Sequence, residues 1–314
     1  ILAVTFTNKA AREMRDRLWN LVRNTDHLAQ SYQAPRSFMP YMGTFHGICV
    51  RILHMEHVAA GLESNFVIYD TDDQVALLRR IIRDQHINNK QIKPKSVISV
   101  ISANKNQGIM PDEYAADAYY PNQKTIAKLY HLYEEEKEKA GALDFDDLLL
   151  RTVKMLRENP EVCQKWRERF QYILIDEYQD TNNIQYRLVK ALVNDRCNLC
   201  VVGDDWQSIY SWRGADYTNI LHFEHDFPGA KVIKLEQNYR STGNILKASQ
   251  KIIRENKERT DKELFTESGD GAPVEIEALA DETQEATWVA SRISLEIAHS
   301  ANTDHPRDFH DFAI

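Results

Sequence analysis

Four short apolar runs recur along the chain, and each passes into polar residues at its C-terminal end: Ile1–Thr5, Tyr172–Ile175, Leu199–Val202 and Val232–Leu235. Their length and β-branched content predict buried parallel strands. Helical spacing fills the intervals. Ala11, Met14, Leu18 and Leu21 share one face, as do Ile48, Ile52 and Met55, and Leu188, Val189 and Leu192. Strands alternating with helices predict an α/β fold with a mostly parallel sheet, in which ligands bind at the carboxyl ends of the strands.

Residues 62–143 break this rhythm. Asp73–Arg83 and Thr125–Lys139 read as charged, amphipathic helices, and strand-like runs are nearly lacking. The stretch is expected to be a helical subdomain inserted into the α/β domain. The charged run Glu134–Lys139 is expected to be a solvated helix face. Gly269–Pro273 predicts a turn before a strand at Val274–Ala278, and Phe309–Ile314 reads as the start of another strand.

A chain of 314 residues is long enough for two or more domains. The net charge of −8 excludes a protein that coats nucleic acid by bulk charge alone, while leaving room for a local positive groove. No apolar run reaches the roughly 20 residues that span a bilayer, so no membrane association and a cytoplasmic location are expected. Among Cys49, Cys163, Cys197 and Cys200, the last two have metal-pair spacing, but no second pair completes a four-ligand site. Reduced core thiols are the expectation. The chain lacks an initiator Met and begins on a strand, which suggests a fragment of a longer protein.

Candidate chemistry sits at the strand ends. Asp176 and Glu177 follow the run Tyr172–Ile175 directly. Adjacent carboxylates beyond a buried strand are costly unless they serve a cation or water. An Asp so placed can hold Mg²⁺, and a following Glu can take a proton from an attacking water. The bland alternative is a solvated turn. Further along, Tyr210 and Trp212 alternate with Ser211 just before Arg213, and rings beside a cation suit a single strand of nucleic acid.

The continuation makes the pattern specific. Asp176-Glu177-Tyr178-Gln179-Asp180-Thr181-Asn182 follows one strand, Gly203-Asp204-Asp205-Trp206-Gln207 through Ala215 the next, and Gln237-Asn238-Tyr239-Arg240-Ser241 a third. With Ala3–Ala11, Gly43-Thr44-Phe45-His46 and Leu143–Leu149, these segments resemble the UvrD/Rep/PcrA family of superfamily-one DNA helicases, in the family's order. The resemblance implies a RecA-like parallel-sheet motor domain at 1–61 and 144–230, a helical insertion at 62–143, and the start of a second RecA-like domain at 231–314. It implies ATP and Mg²⁺ as cofactors, with Asp176 as the metal residue and Glu177 as the base. Gln207 is implied to sense the γ-phosphate, Arg240 to act as an arginine finger, and Tyr239 to stack near the adenine. Phe6, Thr44, His46, Tyr210, Trp212 and Arg213 are implied to line a DNA track. The implied substrate is single-stranded DNA or a 3′-tailed duplex, with movement 3′ to 5′ and service with repair or replication proteins.

Simpler roles compete for several of these residues. Phe6 and Trp212 could be core residues, Thr44 a helix cap, His46 a helix-start histidine, and Arg240 one half of a surface ion pair. The chain also departs from the family. No G-x-x-x-x-G-K-[ST] loop is present and the family's late motifs are missing, so residues 1–314 alone are expected to hydrolyse ATP poorly. Two other functions compete with the motor. One is a nuclease using Asp144, Asp146 and Asp147 around two metals, although acids there also suit a helix start. The other is a non-catalytic DNA- or protein-binding module.

Overall fold

The computed structural model describes residues 1–26, 34–35, 37–87 and 92–314, without the side chains of residues 24–26 and of Arg213. Two compact units divide the chain: residues 1–233 with 258–260, and residues 234–257 with 261–314.

The first unit is built on a parallel sheet. Strand β1 (Leu2–Val4) leads into helix α1 (Asn8–Asp26), and β2 (Met42–Gly43) into α2 (Phe45–Met55). After β3 (Val67–Ile68) come helices α3 (Thr71–Asp84), α4 (Pro94–Gln107), α5 (Pro111–Ala116) and α6 (Pro121–Lys139), then β4 (Ala142–Leu143). Helices α7 (Phe145–Glu158) and α8 (Pro160–Arg169) precede β5 (Ile173–Ile175), and α9 (Asn183–Leu192) precedes β6 (Leu199–Val201). Short helices α10 (Thr218–Leu221) and α11 (Phe223–Asp226) follow.

The sheet order is β2-β1-β5-β6, with Leu2 opposite Ile173 and Ile173 opposite Leu199. The α/β class with a parallel sheet is therefore as the apolar pattern predicts. Leu2, Val4, Ile173 and Ile175 pack with Ile52, Leu148, Trp166 and Leu188 in one core. A second core joins α3, α4 and α6 through Leu78, Ile82, Val97, Leu129 and Tyr130. The parallel pair β3–β4 closes the loop of chain that carries this helical cluster. Two-residue strands are too short to show a hydrophobic period, which is why β2, β3 and β4 are not legible in the sequence.

Two expectations fail in this unit. The run Glu134–Lys139 is not a wholly solvated face, because Lys137 is 1% exposed. Helical periodicity turns Tyr133 and Lys137 inward together, while Lys139 stays on the surface against Glu136. Cys197 and Cys200 are exposed rather than core thiols. Cys200 lies on β6, an edge strand of the sheet, and Cys197 takes a left-handed backbone just before it.

In the second unit, α12 (Gly243–Ile253) and α13 (Glu282–Ser300) are the main helices. The predicted strands at Val232–Leu235 and Val274–Ala278 do not form. An apolar run becomes a strand only by pairing, and outside the named strands the one bridge among the described residues is Gln237 to Phe265. Phe309–Asp311 is a 3₁₀ turn capped by Asp308, not a strand start. Among the described residues, no helix is long and apolar enough to cross a membrane.

Candidate nucleotide and single-strand site

Asp176 is set by the sheet: its amide donates to Val4 O at 2.9 Å, which puts its carboxylate just beyond β5 and beside β1. Thr5 Oγ1 lies 3.3 Å from Asp176 Oδ2. Glu177 then turns the chain with φ 54° and ψ 44°. A non-glycine residue pays about 1–3 kcal/mol for such a conformation, and the surroundings must enforce it. Tyr178 N–H donates to Val202 O at 3.0 Å, so the turn is tied to the end of β6.

The Glu177 carboxylate is exposed and accepts from Gln179 Nε2 at 2.8 Å. Gln179 itself is buried, and its Oε1 accepts the Asp204 amide at 2.9 Å. Asp204 Oδ2 in turn accepts from Gln207 Nε2 at 2.7 Å, and Asp204 Oδ1 caps the turn at Trp206 N. Asp205 anchors the same turn by accepting from Thr260 N and Oγ1. Glu177 and Gln207, predicted from two separate strand ends, are thus joined through Gln179 and Asp204, while Asp176 sits beside Glu177 in sequence and bonds to Thr5.

A groove of about 1130 Å³ opens next to these strand ends. Phe6, Thr44, His46, Tyr210 and Trp212 all line it. Tyr210 stacks on Phe6 with centroids 5.2 Å apart and 22° between planes, and Trp212 stands 6.3 Å beyond Tyr210. Trp212 is 72% exposed, which removes the core alternative for it. Phe6 is half-buried. Thr44 is a helix cap as well as a lining residue: its hydroxyl accepts from Gly47 N at 3.2 Å. Burial lowers the His46 pKa from its ordinary value. The backbone of Arg213 lies in the 3₁₀ turn Ser211–Arg213, and its side chain lies outside what the structure describes.

The opposite wall is not evident from strand-end motifs. Helix α4 lines it with Ser99, Ser102, Ala103 and Asn106. The signal for this was a stripe of small and polar residues at helical spacing. Asn106 donates to Asp146 Oδ1 at 3.1 Å and accepts from Asn182 Nδ2. Two lining acids have raised pKa values. Burial, then the Asp144 charge, pushes Asp146 up to about 6. Burial, then the Glu177 charge, pushes Asp180 up to about 6.

Tyr239 and Arg240 belong to the second unit. Tyr239 is 82% exposed, and its hydroxyl donates to Gln237 Oε1 at 2.7 Å. Asn238 Oδ1 accepts the amides of Arg240 and Ser241, which fixes the turn that presents both side chains.

The other acid cluster behaves differently. Asp144 and Asp147 cap α7 reciprocally, each side chain accepting the other's amide at 2.9 Å. Lys105 from α4 meets Glu134, Asp144 and Asp147 at 2.7, 2.8 and 2.6 Å. Lys137 meets Glu134 at 3.0 Å, Asp144 at 2.8 Å, and also Asp147. Burial alone would push the Asp144 carboxyl up, but the two ammoniums overcome it and hold it well below the usual range. Glu134, Asp144 and Asp147 have the spacing of a metal cluster. Two lysines already supply the positive charge, so the nuclease alternative loses Asp144 and Asp147 to a buried ion-pair network, while Asp146 bonds to Asn106 instead.

Comparison with known proteins matches residues 1–228 to the UvrD/REP helicase N-terminal domain and residues 233–308 to the UvrD-like helicase C-terminal domain. The chain is 42% identical over 306 residues to the ATP-dependent DNA helicase PcrA of Leuconostoc citreum, covering 97% of the chain and 40% of that protein. It is 42% identical over 316 residues to the PcrA of Bacillus subtilis, covering 100% of the chain and 40% of that protein. It is 42% identical over 293 residues to DNA helicase II of Escherichia coli, covering 93% of the chain and 39% of that protein. The chain therefore spans about 40% of the length of these relatives.

Proposed function

The chain belongs to the UvrD/REP helicase family, and we propose that it carries the water-activating side of an ATPase site and the single-strand track of a DNA motor moving 3′ to 5′. The observation that carries this is the groove. Phe6, Thr44, His46, Tyr210 and Trp212 come from three separate segments and share one cleft beside the strand ends. The exposed Trp212 beside the half-buried, stacked Phe6 and Tyr210 gives base faces a sequence-tolerant surface. The substrate is single-stranded DNA or a 3′-tailed duplex, and repair and replication proteins are the partners to look for.

On this proposal, residues 1–61 and 144–230 form the first motor domain, 62–143 its helical insertion, and 231–314 belong to the second motor domain. ATP and Mg²⁺ are the cofactors. Asp176 suits a hard cation: its carboxylate is half-exposed at a strand end and approached by the Thr5 hydroxyl. When bound, the metal neutralises phosphate charge. Glu177, exposed beside Asp176, takes the proton of the attacking water. Gln207 senses the γ-phosphate from the adjoining turn. Arg240 serves as the arginine finger and Tyr239 as the adenine-stacking ring, and Arg213 adds a cation to the track.

The test is titration of fluorescent oligo(dT) with Trp212→Ala in the full-length protein that carries this chain. Loss of one stacked ring is expected to weaken binding by roughly 1–3 kcal/mol. Unchanged affinity would remove Trp212 from the track.

A further inference from the structure

Gln179 lies in the turn after Asp176 and Glu177, is 1% exposed, and spends both ends of its amide. Its Nε2 donates to Glu177 Oε2 at 2.8 Å, and its Oε1 accepts from the Asp204 amide at 2.9 Å. The two partners follow different strands, β5 and β6. Gly203 leaves just enough room for this bridge: a Cβ there would meet Gln179 Oε1 at 2.5 Å and Tyr178 N at 3.2 Å. Beyond Asp204, the chain of contacts runs to Gln207 Nε2 at 2.7 Å, and the same segment continues to Tyr210 and Trp212 in the groove.

We infer that Gln179 is a positioning residue that links the orientation of the Glu177 carboxylate to the position of the Asp204–Gln207 turn, and so links hydrolysis to occupancy of the single-strand groove. This rests on the proposed roles of Glu177 and Gln207. The physical basis is that both bonds are made by one rigid, buried amide. A shift of the turn after β6 draws on the Asp204 amide and is delivered to Glu177 through the same group. Glu177 has a backbone conformation that is not self-sustaining, so its carboxylate depends on neighbours for its direction. A base displaced by about 1 Å can lose about 100-fold in rate.

The experiment uses the full-length protein and two substitutions. Gln179→Met keeps volume and removes both hydrogen bonds. Gln179→Glu keeps an acceptor for the Asp204 amide and removes the donor to Glu177. Steady-state ATP hydrolysis is measured with and without oligo(dT), together with the melting temperature. Both variants are expected to lose about tenfold or more in kcat with KM for ATP within about twofold, the mark of a misplaced catalytic group rather than lost binding. Both variants are also expected to lose most of the stimulation by DNA, because each breaks the bond that delivers the position of the turn to Glu177. If both variants keep kcat and the stimulation ratio within about twofold of wild type, or if only melting temperature falls, the inference is wrong. Glu177→Gln run alongside separates the two levels. Turnover surviving in Glu177→Gln overturns the proposed base itself and the inference with it. Turnover lost in Glu177→Gln but kept in both Gln179 variants overturns the inference alone.

Discussion

Two acid pairs in one chain meet opposite fates. Asp144 and Asp147 are buried at the start of α7, cap their own helix and are held by two buried lysines. Asp176 and Glu177 stand at the end of β5, half-exposed and exposed, with a hydroxyl and an amide as their side-chain neighbours. The first pair is spent on structure: its charge is neutralised within the fold. The second keeps its charge available, which is what phosphate and water chemistry require. Carboxylates close in sequence are not informative by themselves; the cations the fold brings to them decide.

The largest expected difference between the pairs is in catalysis. Glu177→Gln in the full-length protein is expected to cut ATP turnover by about 100-fold or more while ATP binding persists, the scale for losing a general base. Turnover near wild type would break the contrast at its functional end.

Stability gives the next difference. Lys137→Met leaves Glu134, Asp144 and Asp147 facing Lys105 alone, and removing one partner of a buried ion pair costs roughly 3–5 kcal/mol. Urea denaturation should show the midpoint falling accordingly, with no Mg²⁺-dependent cutting of DNA in wild type or variant. An unchanged midpoint, or metal-dependent cutting, would return Asp144 and Asp147 to the catalytic side.

Asp146 offers a smaller, pH-dependent effect. Its folded pKa of about 6 lies above the usual carboxylate value, so the folded state binds the extra proton between those limits. Stability contributed at this site is therefore greatest at low pH and is lost as pH rises through about 6. Asp144 has the opposite sign: its depressed pKa stabilises above the ordinary carboxylate range and less as pH falls. Asp146→Asn is thus expected to raise the melting temperature at pH 7 by roughly 2 °C or more, with the gain shrinking below pH 6. A gain that grows on acidification would contradict the assigned environment.

Much of the fold was legible because its strands are apolar and end in polar residues. Ile173–Ile175 shows the pattern clearly. The candidate site was legible where its residues follow such strands, as with Asp176, Glu177 and Gln207. Three things were hidden for physical reasons. Buried lysines look like surface charge in a sequence, because it is Glu134 on α6 and Asp144 and Asp147 at the start of α7 that make Lys105 and Lys137 tolerable inside. The α4 wall of the groove comes from sequence far from the strand ends and carries no motif that marks it as part of a site. Val232–Leu235 has strand composition but finds no ladder among the described residues, and Val232, Ile233 and Leu235 stay exposed.

The most direct test of the motor proposal is the rate of ATP hydrolysis by the full-length protein, with Mg²⁺ present, before and after addition of single-stranded DNA. A motor whose hydrolysis site is linked to its groove predicts turnover that rises on adding DNA. DNA binding without any DNA-dependent turnover would contradict it and leave a non-catalytic binding module.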